Sequence, residues 1–123
     1  MSKKIIFTED APAAIGPYSQ AVLVDQVLYV SGQIALSVFE AGGTIEDETL
    51  QVMKNLEAIL KAANCTFDHV VKCSIFLQNM ADFAIVNQIY GQFFAVNPPA
   101  RETVQVACLP KNVRVEISCI AHL

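Results

Sequence analysis

The chain has 123 residues and a formal net charge of −4, with a pI near 5.0; 54% of its residues are hydrophobic and only 16% are charged. That length predicts one domain, and the acidic balance, with no basic cluster beyond Lys3-Lys4, argues against a nucleic-acid binder, whose affinity rests on phosphate neutralisation. Charged residues fall well below the roughly 25% of a typical soluble domain, so exposed apolar area, and with it a homo-oligomer, is expected.

No apolar run approaches the roughly 18 residues of a membrane span. After "MSKK" the only apolar stretch is "IIF", so neither a signal-peptide hydrophobic region nor a transit peptide is expected. The four cysteines, Cys65, Cys73, Cys108 and Cys119, show no C-x-x-C spacing. They read as reduced thiols of a cytoplasmic protein, with no metal site.

In chain order, "KKIIF" predicts a short strand and "APAAIGPYSQ" a loop broken by Pro12, Gly16 and Pro17. "AVLV" and "VLYVSG" predict two strands around a tight Asp25-Gln26 turn. "ALSVFEAGGT" reads as a surface loop. Then Leu50, Met53, Leu56, Ile59, Leu60 and Ala63 recur at helical spacing and predict a helix over 46–63. Thr44 with Asp47 three residues on is its start signal, and Asn64 suits a left-handed stop. "HVVKCSIFLQN" alternates as a strand. A second helix is predicted over 80–95, with Phe83, Val86, Ile89, Tyr90 and Phe93 on its apolar stripe and Pro98-Pro99 beyond its end. "TVQVAC" and "VRVEISCIA" then predict two strands joined by "LPKN", a hairpin-length connection. Both helices pack most simply on one face of one sheet.

In that hairpin, Gln105 faces Glu116 and Thr103 faces Ser118. Alternation places Val104, Val106, Cys108, Val113, Val115, Ile117 and Cys119 toward the core. Arg101, Thr103, Gln105, Arg114, Glu116 and Ser118 share the opposite face. Two readings remain open. This is an ordinary solvated face, or it lines a subunit interface in which Arg101, stiffened by the preceding prolines, clamps an anion through its planar fork. Tyr18 in its Gly-Pro loop, Ser31-Gly32 at a strand end and Asn87 in the second helix are weaker candidates. His69 and His122 assemble no catalytic set.

"GPYSQA", "VSGQI", "DFAIVNQIY", "PPAR" and "RVEI" occur in the order and at the spacing of the Rid family, the reactive-intermediate deaminases also known as YjgF/L-PSP. The resemblance runs from about residue 5 to 121. It implies a single Rid/YjgF-like domain over 1–123 with a chorismate-mutase-like α+β fold. That fold is one six-stranded mixed sheet carrying two helices on one face, assembled as a homotrimer around a central barrel with clefts between neighbours. It further implies hydrolysis of 2-aminoacrylate and other 2-imino acids to 2-keto acids and ammonia, an activity of the 2-iminobutanoate/2-iminopropanoate deaminase type with no cofactor. By position, Arg101 holds the substrate carboxylate and Glu116 activates water. Tyr18, Ser31, Gly32, Asn87 and Thr103 line the cleft, some from the adjacent subunit. Thr103 stands where some members carry cysteine, Ala35 where proline is common, and Ser118 where an acidic residue is frequent. The competing functions are an endoribonuclease that inhibits translation, a non-catalytic binder of small carboxylates, and a chaperone-like protein. The first has no basic track or histidine pair to draw on.

Overall fold

Alternating apolar residues open the chain as an antiparallel meander. In the computed structural model, which describes residues 2–123, it comprises β1 (Lys3–Ile6), β2 (Ala21–Val24) and β3 (Val27–Gln33). Asp25 makes the β2–β3 turn at a φ of 55°, a left-handed conformation that Asp tolerates better than most residues. The segment read as a surface loop holds instead a short helix, α1 (Leu36–Glu40). It has five residues and no side-chain cap, too little for periodicity to register.

Helix α2 (Ile45–Ala62) lies within one residue of its predicted span. Thr44 Oγ1 accepts from Asp47 N at 3.1 Å, and Asp47 Oδ2 accepts from Thr44 N at 3.2 Å, so Asp completes the capping box. Three acidic residues in the first turn and Lys61 in the last complement the helix dipole. Asn64 follows at a φ of 59°. Val52, Met53, Leu56, Ile59 and Leu60 are fully buried against the sheet, and burying each such side chain stabilises by about 1.5–3 kcal/mol.

Strand β4 (Val70–Leu77) follows a short turn, and α3 (Phe83–Gly91) follows another at Met80–Asp82. The second helix is therefore shorter than predicted at both ends. It stops at Gly91, a poor helix former, and Phe94 leaves it to pack edge-on against Phe67 with ring centroids 5.2 Å apart. The chain closes with β5 (Ala100–Gln105) and β6 (Val115–His122).

One mixed sheet results, in the order β1-β2-β3-β6-β4-β5. The expected β5–β6 hairpin does not form. Strand β6 is inserted antiparallel between β3 and β4, while β5 runs parallel to β4 at the sheet edge. The intervening residues step over the end of β4, tied there by Val106 N to Leu77 O and Gln78 N to Arg114 O. Alternation states which residues of a strand share a face; it does not state which strand lies alongside. Burial separates the two strands. Strand β6 is buried at every second residue, as suits a central strand, whereas β5 has no buried residue.

The new register overturns the face assignment. Thr103 lies beside Ile75 and Gln105 beside Leu77, while Ser118 faces Ser74 and Glu116 faces Phe76. Arg101 is in register with Cys73, which faces Cys119, so Arg101, Thr103 and Gln105 are on the helix side. Glu102, Val104, Glu116 and Ser118 are on the open side. Val104 is accordingly 42% exposed, and Cys108 is exposed as well. Arg101 and Glu116 thus occupy opposite faces of the sheet. The open face also presents Ile5 and Tyr29, each 51% exposed.

Candidate active site

The eight-to-twenty segment is built around one amide. Gln20, 3% exposed, accepts from Thr8 N at 2.8 Å and donates to Pro12 O at 2.9 Å, which folds the segment back on β2. Ser31 fastens its far end: Oγ donates to Ser19 O at 2.6 Å, and its N–H to Gln20 O at 2.9 Å. Tyr18 is held between these anchors with its ring half exposed. Ser31 and Gly32 do not end β3; they lie within it, where the β3–β6 register shifts between Val30 and Gln33. Such an irregularity re-aims a strand, and here it turns Gly32 toward Glu116.

Gly32 is where a side chain would collide. A Cβ built there stands 2.8 Å from Glu116 Cδ and 3.0 Å from Cγ. The Glu116 carboxylate therefore lies over bare backbone. With Ile15, Tyr18, Ser31, Gly32 and Pro110 it lines a hollow of about 450 Å³. Burial pushes the Glu116 carboxyl above the usual glutamate range. A neighbouring arginine would lower it instead. Burial wins because Arg101 is on the other face, and Arg114 is engaged by Glu48 through a 2.7 Å bond from Nε.

Arg101 belongs to a second group of residues. Asn97, at a φ of 49°, and Pro98-Pro99 bring the chain stiffly into edge strand β5. Arg101 then points toward α3, where Asn87 Oδ1 accepts from its Nη1 at 2.7 Å. Two residues along the same face, the Thr103 hydroxyl is buried without a hydrogen-bond partner. The predicted site residues thus fall into two clusters within one chain. Tyr18, Ser31, Gly32 and Glu116 share the hollow; Asn87, Arg101 and Thr103 share the β5–α3 edge.

Sequence reasoning missed the aromatic rings beside Arg101 and the carboxylate of Glu48. Periodicity places Phe83 and Tyr90 on the apolar stripe, yet Arg101 Cζ lies 5.7 Å and 5.0 Å from their ring centroids. Glu48 is fully buried and accepts from Arg114 N at 2.8 Å and Val115 N at 3.2 Å, just where β6 begins. A signal existed for it: Ile45, Glu48, Thr49 and Val52 fall on one helical stripe, and an acid on an apolar stripe needs a partner. His69 does not begin a strand; it sits in a turn, its Nδ1 accepting from Thr66 N at 2.9 Å. Among the described residues no group of three or more His, Cys, Asp or Glu side chains is arranged to hold a metal ion, and no helix is long and apolar enough to cross a membrane.

The sequence profile of the family described as Endoribonuclease L-PSP matches residues 8–123. The chain is 48% identical over 122 residues to a human 2-iminobutanoate/2-iminopropanoate deaminase, covering 97% of this chain and 89% of that protein. Among solved structures it resembles the Rid-family protein YyfA of Yersinia pestis, at 44% identity and a TM-score of 0.91, covering 99% of this chain and 100% of that one. It also resembles E. coli TdcF with bound serine, at 38% identity and a TM-score of 0.90, covering 98% of each chain. With a profile match from residue 8 to the last residue and such identity over nearly its full length, the chain belongs to the endoribonuclease L-PSP family, the Rid family that its motifs resemble.

Proposed function

We propose that this chain is a hydrolytic deaminase acting on 2-aminoacrylate and other small 2-imino acids, as a single domain assembled into a homotrimer. Relatives such as the human protein carry the name of that activity, and a bound amino acid in TdcF fits a ligand with a carboxylate. The observation that carries the reading is the division of the candidate residues. One cluster offers a carboxylate with raised basicity and no cation; the other offers a held guanidinium and an unpartnered hydroxyl. Neither suffices alone. Glu116 and Arg101 work on one substrate when Arg101 of one subunit meets the hollow of its neighbour. The exposed apolar residues of the open sheet face supply area for such an assembly.

In this reading Arg101 grips the carboxylate bidentately, with the Thr103 hydroxyl as a further donor. The enamine takes a proton from solvent at its methylene carbon and becomes the protonated imine. Glu116 removes a proton from water as the oxygen adds to the imine carbon. Glu116 returns its proton to the nitrogen of the resulting carbinolamine, which expels ammonia and loses its hydroxyl proton to solvent, leaving the 2-keto acid. One water is consumed for each ammonia released. Holding substrate and water together removes much of the entropic barrier, and a positioned carboxylate base contributes roughly 10²–10⁴-fold.

The test generates 2-aminoacrylate from serine with a separate dehydratase and follows its decay. Wild type is expected to speed the decay, and Arg101→Ala to match buffer. Equal behaviour of wild type and buffer would sink the deaminase reading in favour of carboxylate binding alone.

A pH prediction follows from Glu116. Only its ionised form serves as base, so turnover is expected to fall with acidification through a pKa above the ordinary value of about 4.3. Glu116→Gln should be slow and lack that limb while still binding a keto acid. For stability the sign reverses. The fold favours the neutral carboxyl, so the folded state binds more protons than the unfolded one between the two pKa values. Stability therefore declines as pH rises through that window, and in Glu116→Gln this contribution is absent. Thermal melts across the same pH range check it.

A further inference from the structure

Helix α3 presents one stripe to the edge strand. Phe83, Asn87 and Tyr90 stand at positions i, i+4 and i+7, on successive turns of one helix face. All three meet the same group. Asn87 takes Nη1 of Arg101, and the Phe83 and Tyr90 rings lie within 5.7 Å and 5.0 Å of its guanidinium carbon. Asn87 is the only hydrogen-bond acceptor the guanidinium has among the described residues, so the rest of its donor fork is left for a ligand.

Tyr90 is itself held firmly. It is 5% exposed, and its ring lies 4.8 Å from that of Phe94, which in turn meets Phe67. Its buried hydroxyl has no hydrogen-bond partner and sits beside the thiol of Cys73, the residue in register with Arg101 on β4. The phenol oxygen thus points into the core, and what Tyr90 offers the arginine is its ring. A flexible arginine on an exposed edge strand samples many rotamers. A ring that cannot move, a second ring and an amide at one end select among them.

We infer that Tyr90 and Phe83 are positioning residues for Arg101, fixing its guanidinium so that the free edge of the fork receives a substrate carboxylate. The inference rests on the reading that Arg101 binds that carboxylate. Neither ring is needed for charge; each acts through the orientation of the arginine. Cation–π contacts at partly desolvated sites are worth roughly five- to thirtyfold in an equilibrium, and an effect of that size should appear in ligand affinity rather than in the chemical step.

The experiment compares Tyr90→Phe, Tyr90→Leu, Phe83→Leu and Arg101→Ala in the deaminase assay, with competition by pyruvate and by its neutral amide, pyruvamide. Tyr90→Phe keeps the ring and should stay within about twofold of wild type. Tyr90→Leu and Phe83→Leu should raise KM and the pyruvate inhibition constant roughly five- to thirtyfold. Their kcat should change little, and their preference for pyruvate over pyruvamide should shrink toward none. A loss of packing alone would weaken both inhibitors together, and that result would overturn the inference, as would an unchanged KM in the two leucine variants. Phe83 is 37% exposed, so Phe83→Leu carries the test if Tyr90→Leu does not fold. Arg101→Ala reports separately on the parent reading: if that variant turns over like wild type, the role of Arg101 itself fails.

Discussion

Gly32→Ala is expected to abolish most turnover while leaving the protein folded and nearly as stable as wild type. The three atoms nearest the added methyl all belong to one side chain. The methyl meets the Glu116 side chain, 2.8 Å from Cδ, 3.0 Å from Cγ and closer still at Oε2. Those atoms belong to a flexible side chain at a half-buried position, so the collision is relieved by swinging the carboxylate away. The fold loses little, because the glycine is in a strand and alanine there costs no backbone strain. The chemistry loses the base. A displacement of about 1 Å can cost roughly 10²-fold, and full loss of general-base help costs roughly 10²–10⁴-fold. The kcat of Gly32→Ala should therefore approach that of Glu116→Gln, with a melting temperature within a few degrees of wild type. Wild-type turnover in the variant would mean that Glu116 is not the base, or that its observed position is not the working one. A large fall in melting temperature would instead assign Gly32 to packing.

The legibility of such a residue differs from that of Arg101. Helices α2 and α3 were readable because their cause is local. Thr44, Asp47 and Asn64 mark the ends of α2, and its apolar period lies within a few turns. Pro98-Pro99 likewise marked the entry to β5. The neighbour of each strand was not readable. The apolar alternation of β6 is the same whether its partner is β5 or β4, and the short "LPKN" favoured the nearer one. Only the packed sheet shows that the connection steps over β4. That single misplacement moved Arg101 to the wrong side of the sheet and made Glu116 its false companion. The family motifs named residues that the fold gathers into two clusters, because a motif marks position along the chain. They carried no information on which face of the sheet each residue occupies. Gly32 shows the same limit: the sequence placed it at a strand end, while its use depends on Glu116, far along the chain.

Glu48→Ala is expected to produce the largest loss of stability of any single change considered, about 2–6 kcal/mol, from two backbone donors left unsatisfied at about 1–3 kcal/mol each. Glu48 is fully buried on α2, and its two oxygens accept from Arg114 Nε, Arg114 N and Val115 N. Arg114 also donates to Gly43 O and lies 5.4 Å from the Phe39 ring. One carboxylate thereby links α1, the loop into α2, α2 itself and the first residues of the central strand. Removing it strands a guanidinium and two backbone donors at once. A simple buried ion pair can often be replaced by two apolar side chains at little cost. That remedy should fail here. In Glu48→Leu with Arg114→Leu the guanidinium is gone, but the N–H groups of residues 114 and 115 still lack an acceptor, and unsatisfied buried donors cost about 1–3 kcal/mol each. Chemical denaturation of wild type, Glu48→Ala and the double variant separates the two ideas. Recovery of wild-type stability in the double variant would reduce Glu48 to a counter-ion. Persistent loss would identify it as the acceptor that sets where β6 begins, and hence where Glu116, two residues beyond Arg114, meets Gly32.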